Sequence, residues 1–200
     1  MHIFHGEQLQ NLSRELYVYD VLQQGWQQEL KGYELNAKHT LTHLSKNFIK
    51  NFRDARVLAE EIAPDSVMYA LRLARWNCVD PIITPGDMLV DNGHLQDAGS
   101  MAARFPGIPL HQAAYIAATT ALGGHTHGFD HDEFHELTVT HQPYAVREIG
   151  GLLLYSASLQ AEEASFDLPE AFSNRLANLR THFGMPEPPD IEIAVMRPES

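Results

Sequence analysis

The fold class is indicated most clearly by residues 41 to 62, which read LTHLSKNFIKNFRDARVLAEEI. Apolar side chains recur there every three or four residues, at Leu41, Leu44, Phe48, Phe52, Ala55, Ala59 and Ile62. This spacing predicts one amphipathic helix with a stripe that faces the core. We expect the opposite side to be an exposed basic stripe that tolerates substitution; it carries His39, His43, Lys46, Lys50 and Arg53. Its cations would repel a metal ion, so we do not assign His39 and His43 as ligands.

Helical spacing continues on both sides of this stretch, and strand signals are scarce. In the first predicted helix an apolar stripe is formed by Leu9, Leu12, Leu16, Tyr19 and Leu22 or Gln23. The predicted helices and their bounds are Glu7–Leu30, Pro64–Trp76, Leu95–Arg104, Pro109–Leu122 closed by the pair Gly123-Gly124, Asp130–Thr138, Pro143–Ala164 and Pro169–Phe183. Proline favours the first turn of a helix and glycine favours the position after its end. The sequence therefore predicts an all-α, single-domain helical bundle of about six to eight helices over residues 1–184. A proline-rich tail follows over residues 185–200.

The composition limits the compartment and the partners. The chain has 200 residues, one cysteine and a formal net charge of −12. A single cysteine excludes an internal disulfide and favours a reducing compartment. The acidity disfavours nucleic acid as a partner. No apolar run reaches the roughly 18 residues of a membrane span, so we expect a cytoplasmic protein with no transmembrane segment. Peripheral membrane contact and homo-oligomerisation are left open.

Histidines and carboxylates are concentrated in residues 125 to 135, which read HTHGFDHDEFH. On a helix, His131 and His135 share a face and present two imidazoles to one point. Imidazole and carboxylate are the usual ligands of zinc, iron and manganese where no thiolate is present. The spacing indicates a divalent metal site, with His125, His127 and His141 as spare ligands. The alternative is a solvated polar turn without a metal.

Glu148 is the third predicted ligand. It shares a stripe with Leu152, Tyr155 and Leu159 on a helix that should be buried nearly all round. A carboxylate in such a stripe is costly unless it is paired or bound to metal. The open alternatives are an ion pair with Arg104 or Arg147 and exposure near the start of the helix.

A family resemblance rests on the same residues. The motif His131-Asp132-x-x-His135, then Glu148 and the run EIGGLLLYSASLQ over residues 148–160, resembles the ubiquinone-biosynthesis Coq-four family. The match covers residues 130 to 160. It implies an all-helical protein that binds a divalent metal and a prenylated quinone precursor, with His131, Asp132, His135 and Glu148 at the matching positions. Asp132 is then the candidate catalytic residue, which would orient a ligand histidine or serve as a fourth ligand.

These observations predict a helical metalloprotein that binds or acts on a hydrophobic small molecule. The resemblance implies a metal-dependent decarboxylation or hydroxylation of an aromatic ring. The alternative from another functional class is a non-enzymatic helical interaction module, in which the histidines and acids decorate a polar loop.

Overall fold

The computed structural model describes residues 6–22, 33–47, 50, 54–76, 107–128 and 149–185. All regular secondary structure in these ranges is helical, which confirms the all-α prediction. Six helices are described: α1 (Gly6–Leu22), α2 (Tyr33–Asn47), α3 (Ala55–Val57, Leu58–Ile62 and Ala63–Trp76 in direct succession), α4 (Leu110–Gly128), α5 (described over 149–164) and α6 (Leu168–His182). The predicted domain limits, and the predicted helices Leu95–Arg104 and Asp130–Thr138, lie wholly or partly outside the described residues.

The prediction of one helix over residues 41 to 62 is wrong, because the chain starts a new helix after Asp54. α2 ends at Asn47, and Asp54 has extended backbone angles, φ −88° and ψ 108°. Its carboxylate accepts hydrogen bonds from the backbone N–H groups of Arg56 at 2.9 Å and Val57 at 3.4 Å. Such an N-cap supplies partners for donors that a helix start leaves unpaired. The apolar spacing continues across this break and therefore conceals it.

Pro64 does not open a helix, contrary to the prediction, because α3 already begins at Ala55. The turn directly before the proline, Leu58–Ile62, is a π-helical segment, and the N–H of Ala63 donates to the carbonyl of Leu58. Proline has no N–H to donate and its ring crowds the carbonyl four residues earlier. A wider π turn is one of the ways in which a helix takes up such a defect and continues.

The glycine pair Gly123-Gly124 does not end α4, which continues to Gly128. Glycine costs up to about 1 kcal/mol relative to alanine inside a helix, so it weakens a helix without forcing it to stop. Ala113, Ala114, Tyr115, Ala118 and Leu122 are all buried on this helix. We attribute the continuation to this tertiary packing, which outweighs the local preference.

The last two helices agree with the sequence prediction over their described residues, whereas the predicted start at Pro143 lies outside those residues. Residues 149 to 157 of α5 are buried without exception, so the predicted burial nearly all round this helix is confirmed for its first described turns. α6 has Asp167 as its N-cap, which accepts from the N–H of Glu170 at 2.8 Å, and Pro169 lies in its first turn. It ends before Gly184, whose φ of 61° lies in the left-handed region that favours glycine.

The helices pack around one core. The predicted stripe of α1 is buried, with Leu9 and Leu16 fully inaccessible. α6 packs against α1 and α3, while α2 packs against α3 and α4. The hydroxyl of Tyr115 on α4 donates to the carbonyl of Leu44 on α2 at 2.9 Å. A cleft opens between α1, α2, α3 and α6.

Candidate ligand-binding cleft

The predicted metal site lies outside the described residues. This holds for His131, Asp132, His135 and Glu148, so their joint role stays a prediction. His125 and His127 belong to the last turns of α4. Within the part of the chain that the structure describes, no cluster of three or more His, Cys, Asp or Glu side chains is placed to hold a metal ion.

A cleft of ≈ 760 Å³ lies between α1, α2, α3 and α6. Its volume lies within the range of small-molecule sites in proteins, about 300–1,000 Å³. Apolar and aromatic side chains form part of its wall, among them Met68, Tyr69, Leu179 and Phe183. We call it the basic cleft and define it by its titratable lining residues: His39, His43, Lys46, Lys50, Glu61, Asp65, Arg72, Arg175 and His182.

Asp65 connects three elements at this cleft. Its carboxylate accepts from Arg175 of α6, with Nε at 2.8 Å and Nη2 at 3.2 Å. The amide Nδ2 of Asn47, at the end of α2, donates to the same carboxylate at 3.4 Å. A forked guanidinium–carboxylate pair fixes orientation as well as distance. Asp65 is therefore a fixed part of the cleft wall with its negative charge already balanced by a cation.

Arg72 forms the inner wall. Its guanidinium binds Asp20 of α1, with Nη2 to Oδ1 at 2.5 Å and Nε to Oδ2 at 3.3 Å. Its Cζ lies 5.8 Å from the centre of the Tyr69 ring, a distance typical of a cation–π contact. Burial raises the pKa of the Tyr69 phenol far above its ordinary value. The phenol therefore stays protonated and brings no negative charge to the cleft.

The remaining lysines differ in their partners. Lys50 forms an ion pair with Glu61, and its hydrogen bond holds the pKa of that carboxyl below the usual range. Lys46 is exposed, and no carboxylate of the described ranges lies within ion-pairing distance of it. Among the described residues, four Lys and Arg side chains and two carboxylates line the cleft, and Asp20 behind Arg72 is a third carboxylate. The cleft is thus locally positive in a chain of net charge −12.

His39 and His43 are not on an exposed stripe, and that prediction is wrong for both residues. Each is half-buried and lines the basic cleft, because the face of α2 that carries them turns toward α3 and α6. Their ring centres lie 4.5 Å apart, and the ring of His43 lies 5.7 Å from that of Tyr69. The pKa of the His43 imidazole lies below its usual 6.5; burial is the main cause and the charge of the nearby His39 is the second.

Four charged residues of this site, Asp20, Asp65, Arg72 and Arg175, received no functional role from the sequence. The sequence pattern could have indicated a role for two of them, Asp65 and Arg72. Asp65 and Arg72 lie within the run of residues 62–74, all of which are buried. The argument applied to Glu148, that a charge in an apolar helix needs a partner, applies equally to them. For Asp20 and Arg175 the local pattern carries no comparable signal.

Comparison with known proteins assigns no family. No family model, curated protein or solved structure matches this chain. No helix within the described ranges is both long and apolar enough to cross a membrane. The functional interpretation therefore rests on the residues of the basic cleft and on the histidine and carboxylate motif of the sequence.

Proposed function

We propose that this protein binds a small organic anion in the basic cleft. The observation that carries the proposal is the local excess of positive charge inside a concave site of an acidic protein. Clefts lined by one sign of charge between low-dielectric walls concentrate ligands of the opposite sign. Three of the four cations have carboxylate partners, and no carboxylate of the described ranges pairs with the fourth, Lys46.

The apolar part of the wall specifies the ligand further. Met68, Tyr69, Leu179 and Phe183 line the cleft beside the charged groups, and Phe183 is an exposed large hydrophobic residue. Burying apolar ligand surface against them contributes about 25 cal/mol per Å². The ligand we propose has an acidic group and an apolar body. It agrees in part with the hydrophobic small molecule expected from the sequence.

The test is thermal unfolding of the full chain with added sulfate, acetate or hexanoate, each at the same ionic strength as a chloride reference. Binding to the folded state raises the unfolding temperature with ligand concentration. We expect sulfate and hexanoate to stabilise the protein, and hexanoate to do so more than acetate. Lys46→Gln should weaken binding by about tenfold or more, the usual effect of losing a charge-assisted hydrogen bond.

Arg56→Gln is the matched control, because it removes one exposed positive charge outside the cleft. If both variants weaken binding equally, the anions respond to net charge and the proposal fails. Absence of any stabilisation beyond the chloride reference refutes it outright.

A second candidate function, metal binding by His131, His135 and Glu148, is supported by one observation. The residues that follow Glu148, from 149 to 157, are all buried, and they include Gly150 and Gly151. The premise of the Glu148 argument, an apolar helix without a solvated side, thus has structural support. With Asp132 beside His131, the resemblance would make this a metal-dependent decarboxylase or hydroxylase; the interaction module is the alternative. Metal titration against ligand variants separates them.

A further inference from the structure

The two imidazoles of the basic cleft and a lysine share one face of α2. His39 and His43 are four residues apart and Lys46 is three further, a spacing that aligns side chains along a helix. The histidine ring centres are 4.5 Å apart with an interplanar angle of 50°, so the rings are tilted and do not stack flat. Lys46 is exposed at the same side of the cleft. Three nitrogen-bearing side chains therefore converge on one opening.

The surroundings of His43 disfavour the protonated form of its imidazole. Burial and His39 together lower the pKa of His43, and Lys46 and Arg72 act in the same direction. Asp65 acts in the opposite direction, but its carboxylate is engaged by Arg175 and by Asn47. At neutral pH the ring of His43 is then an uncharged imidazole with one N–H donor.

Among the residues that the structure describes, the other titratable groups around the pair supply no unpaired carboxylate. From α3, Tyr69 faces the ring of His43 as a protonated phenol, and Glu61 is paired with Lys50. From α1, burial raises the pKa of Tyr19, and Asp20 is held by Arg72. From α6, Arg175 and His182 line the cleft as cationic or neutral groups. Among the described residues, each carboxylate that lines the cleft or lies behind it, Glu61, Asp65 and Asp20, already has a cationic partner.

An acidic group bound beside His43 would oppose the effects that lower the pKa of its imidazole. An opposite charge within about 4–6 Å favours the protonated form of an imidazole. Its oxygens would also accept hydrogen bonds from the rings, and bonds to charged donors are about twice as strong as neutral ones. Two imidazoles can also bind a metal ion. Such an ion would be repelled by the nearby cations, which are Lys46, Lys50, Arg72 and Arg175.

We propose that His39 and His43 form the anion subsite of the basic cleft, and that one proton enters the pair from solvent when the acidic group of the ligand binds. This inference rests on the proposed function, because it names the residues that hold the ligand's acidic group. Binding then tightens as the pH falls. As the pH falls, the affinity begins to rise near the pKa of the histidine pair in the complex. It stops rising once the pH is below the lowered pKa of His43 in the free protein.

Isothermal titration of the full chain with sulfate tests this, since sulfate keeps its double charge between pH 8 and pH 5.5. Titrations at constant ionic strength in two buffers of different ionisation enthalpy report the protons taken up. We expect uptake approaching one proton per sulfate and an affinity that rises by up to ~tenfold per pH unit as the pH falls. His43→Gln should abolish both effects. Arg56→Gln, which removes an exposed charge outside the cleft, should keep them.

The histidine C–H resonances give a second readout that does not depend on affinity. Saturating sulfate should raise the pKa of His43 measured from its own resonance. If sulfate binds and Lys46→Gln weakens it, yet no proton is taken up and His43→Gln behaves as the parent, the histidine subsite is wrong while the anion-binding function stands. If neither sulfate nor hexanoate binds the intact protein, both proposals fall together.

Discussion

Arg72 on α3 and Asp20 on α1 form an ion pair that spans 52 residues of sequence and is almost completely buried, with side chains 4% and 2% exposed. The pair joins the first helix to the centre of the molecule at the inner wall of the basic cleft. Removing one partner of a buried pair is expensive because the other is left as an uncompensated charge. It is therefore a structural support of the cleft as well as part of its lining.

Truncation of this pair should be strongly destabilising. We expect Asp20→Ala to lower the free energy of unfolding by about 3–5 kcal/mol, since Arg72 would remain buried without its carboxylate. The double variant Asp20→Leu with Arg72→Met should recover most of that loss, because apolar residues of similar volume need no partner. Urea unfolding followed by circular dichroism measures both. A loss below about 1 kcal/mol for Asp20→Ala would show that the pair is not closed in solution.

We expect Asp54 to stabilise the protein as the N-cap of α3 and not as a residue inside a continuous helix. We expect Asp54→Ala to cost about 1 kcal/mol of unfolding free energy, because two backbone N–H groups lose their acceptor. Asp167→Ala, which removes the N-cap of α6, should cost a similar amount. A continuous helix through residue 54 makes the opposite prediction, since alanine is the best helix former. Chemical denaturation of the two variants decides between them.

The lowered pKa of His43 should make stability depend on pH. Its pKa is below 6.5 in the folded protein, so the unfolded chain binds the proton more readily. Stability should therefore fall as the pH drops below about 6.5 and stop falling, for this group, below the lowered pKa. His43→Gln should remove that component, whereas His182→Gln should not. Urea titrations of parent and variants between pH 8 and pH 5 in anion-poor buffer test this.

The metal site predicted from the sequence has a direct test that is independent of the cleft. We expect His131→Ala, His135→Ala and Glu148→Ala each to weaken the binding of one zinc or manganese ion. Because ligand histidines must be neutral, binding to the parent should weaken as the pH falls through roughly 6.5. Competition with a chelating dye measures it on untagged protein, with His182→Ala as control. Parent-like affinity in all three site variants would refute the site and the resemblance built on it.

The sequence predicted the presence of the helices more accurately than the residues at which they begin and end. The apolar stripe of α1 and the start of α6 at Pro169 were correctly identified, since burial periodicity and proline act over a few residues. The break at Asp54 and the continuation past Gly123 were not. In the first case a side-chain cap competes with an unbroken apolar period, and in the second case packing outweighs a weak local preference.

The candidate cleft was less predictable than the fold. Its pairs join Asp20 to Arg72 and Asp65 to Arg175, which are 52 and 110 residues apart. The basic stripe was recognised, but its direction was reversed for His39 and His43. Helical spacing shows which residues share a face; it does not show which neighbour covers a face that is only partly apolar.

The sequence by itself determined the helical class and most of the core-facing stripes, because each depends on the 3.6-residue period and on residues near in sequence. It also supplied the histidine and carboxylate motif on which the metal hypothesis rests. Only the tertiary structure decided which charges meet. Packing α6 against α1 and α3 brings Arg175 to Asp65, and packing α2 on α3 turns His43 toward Tyr69. Two of the four cations of the cleft, Lys46 and Lys50, belong to the basic stripe of the sequence, whereas Arg72 and Arg175 reach the cleft only through the packing of distant helices.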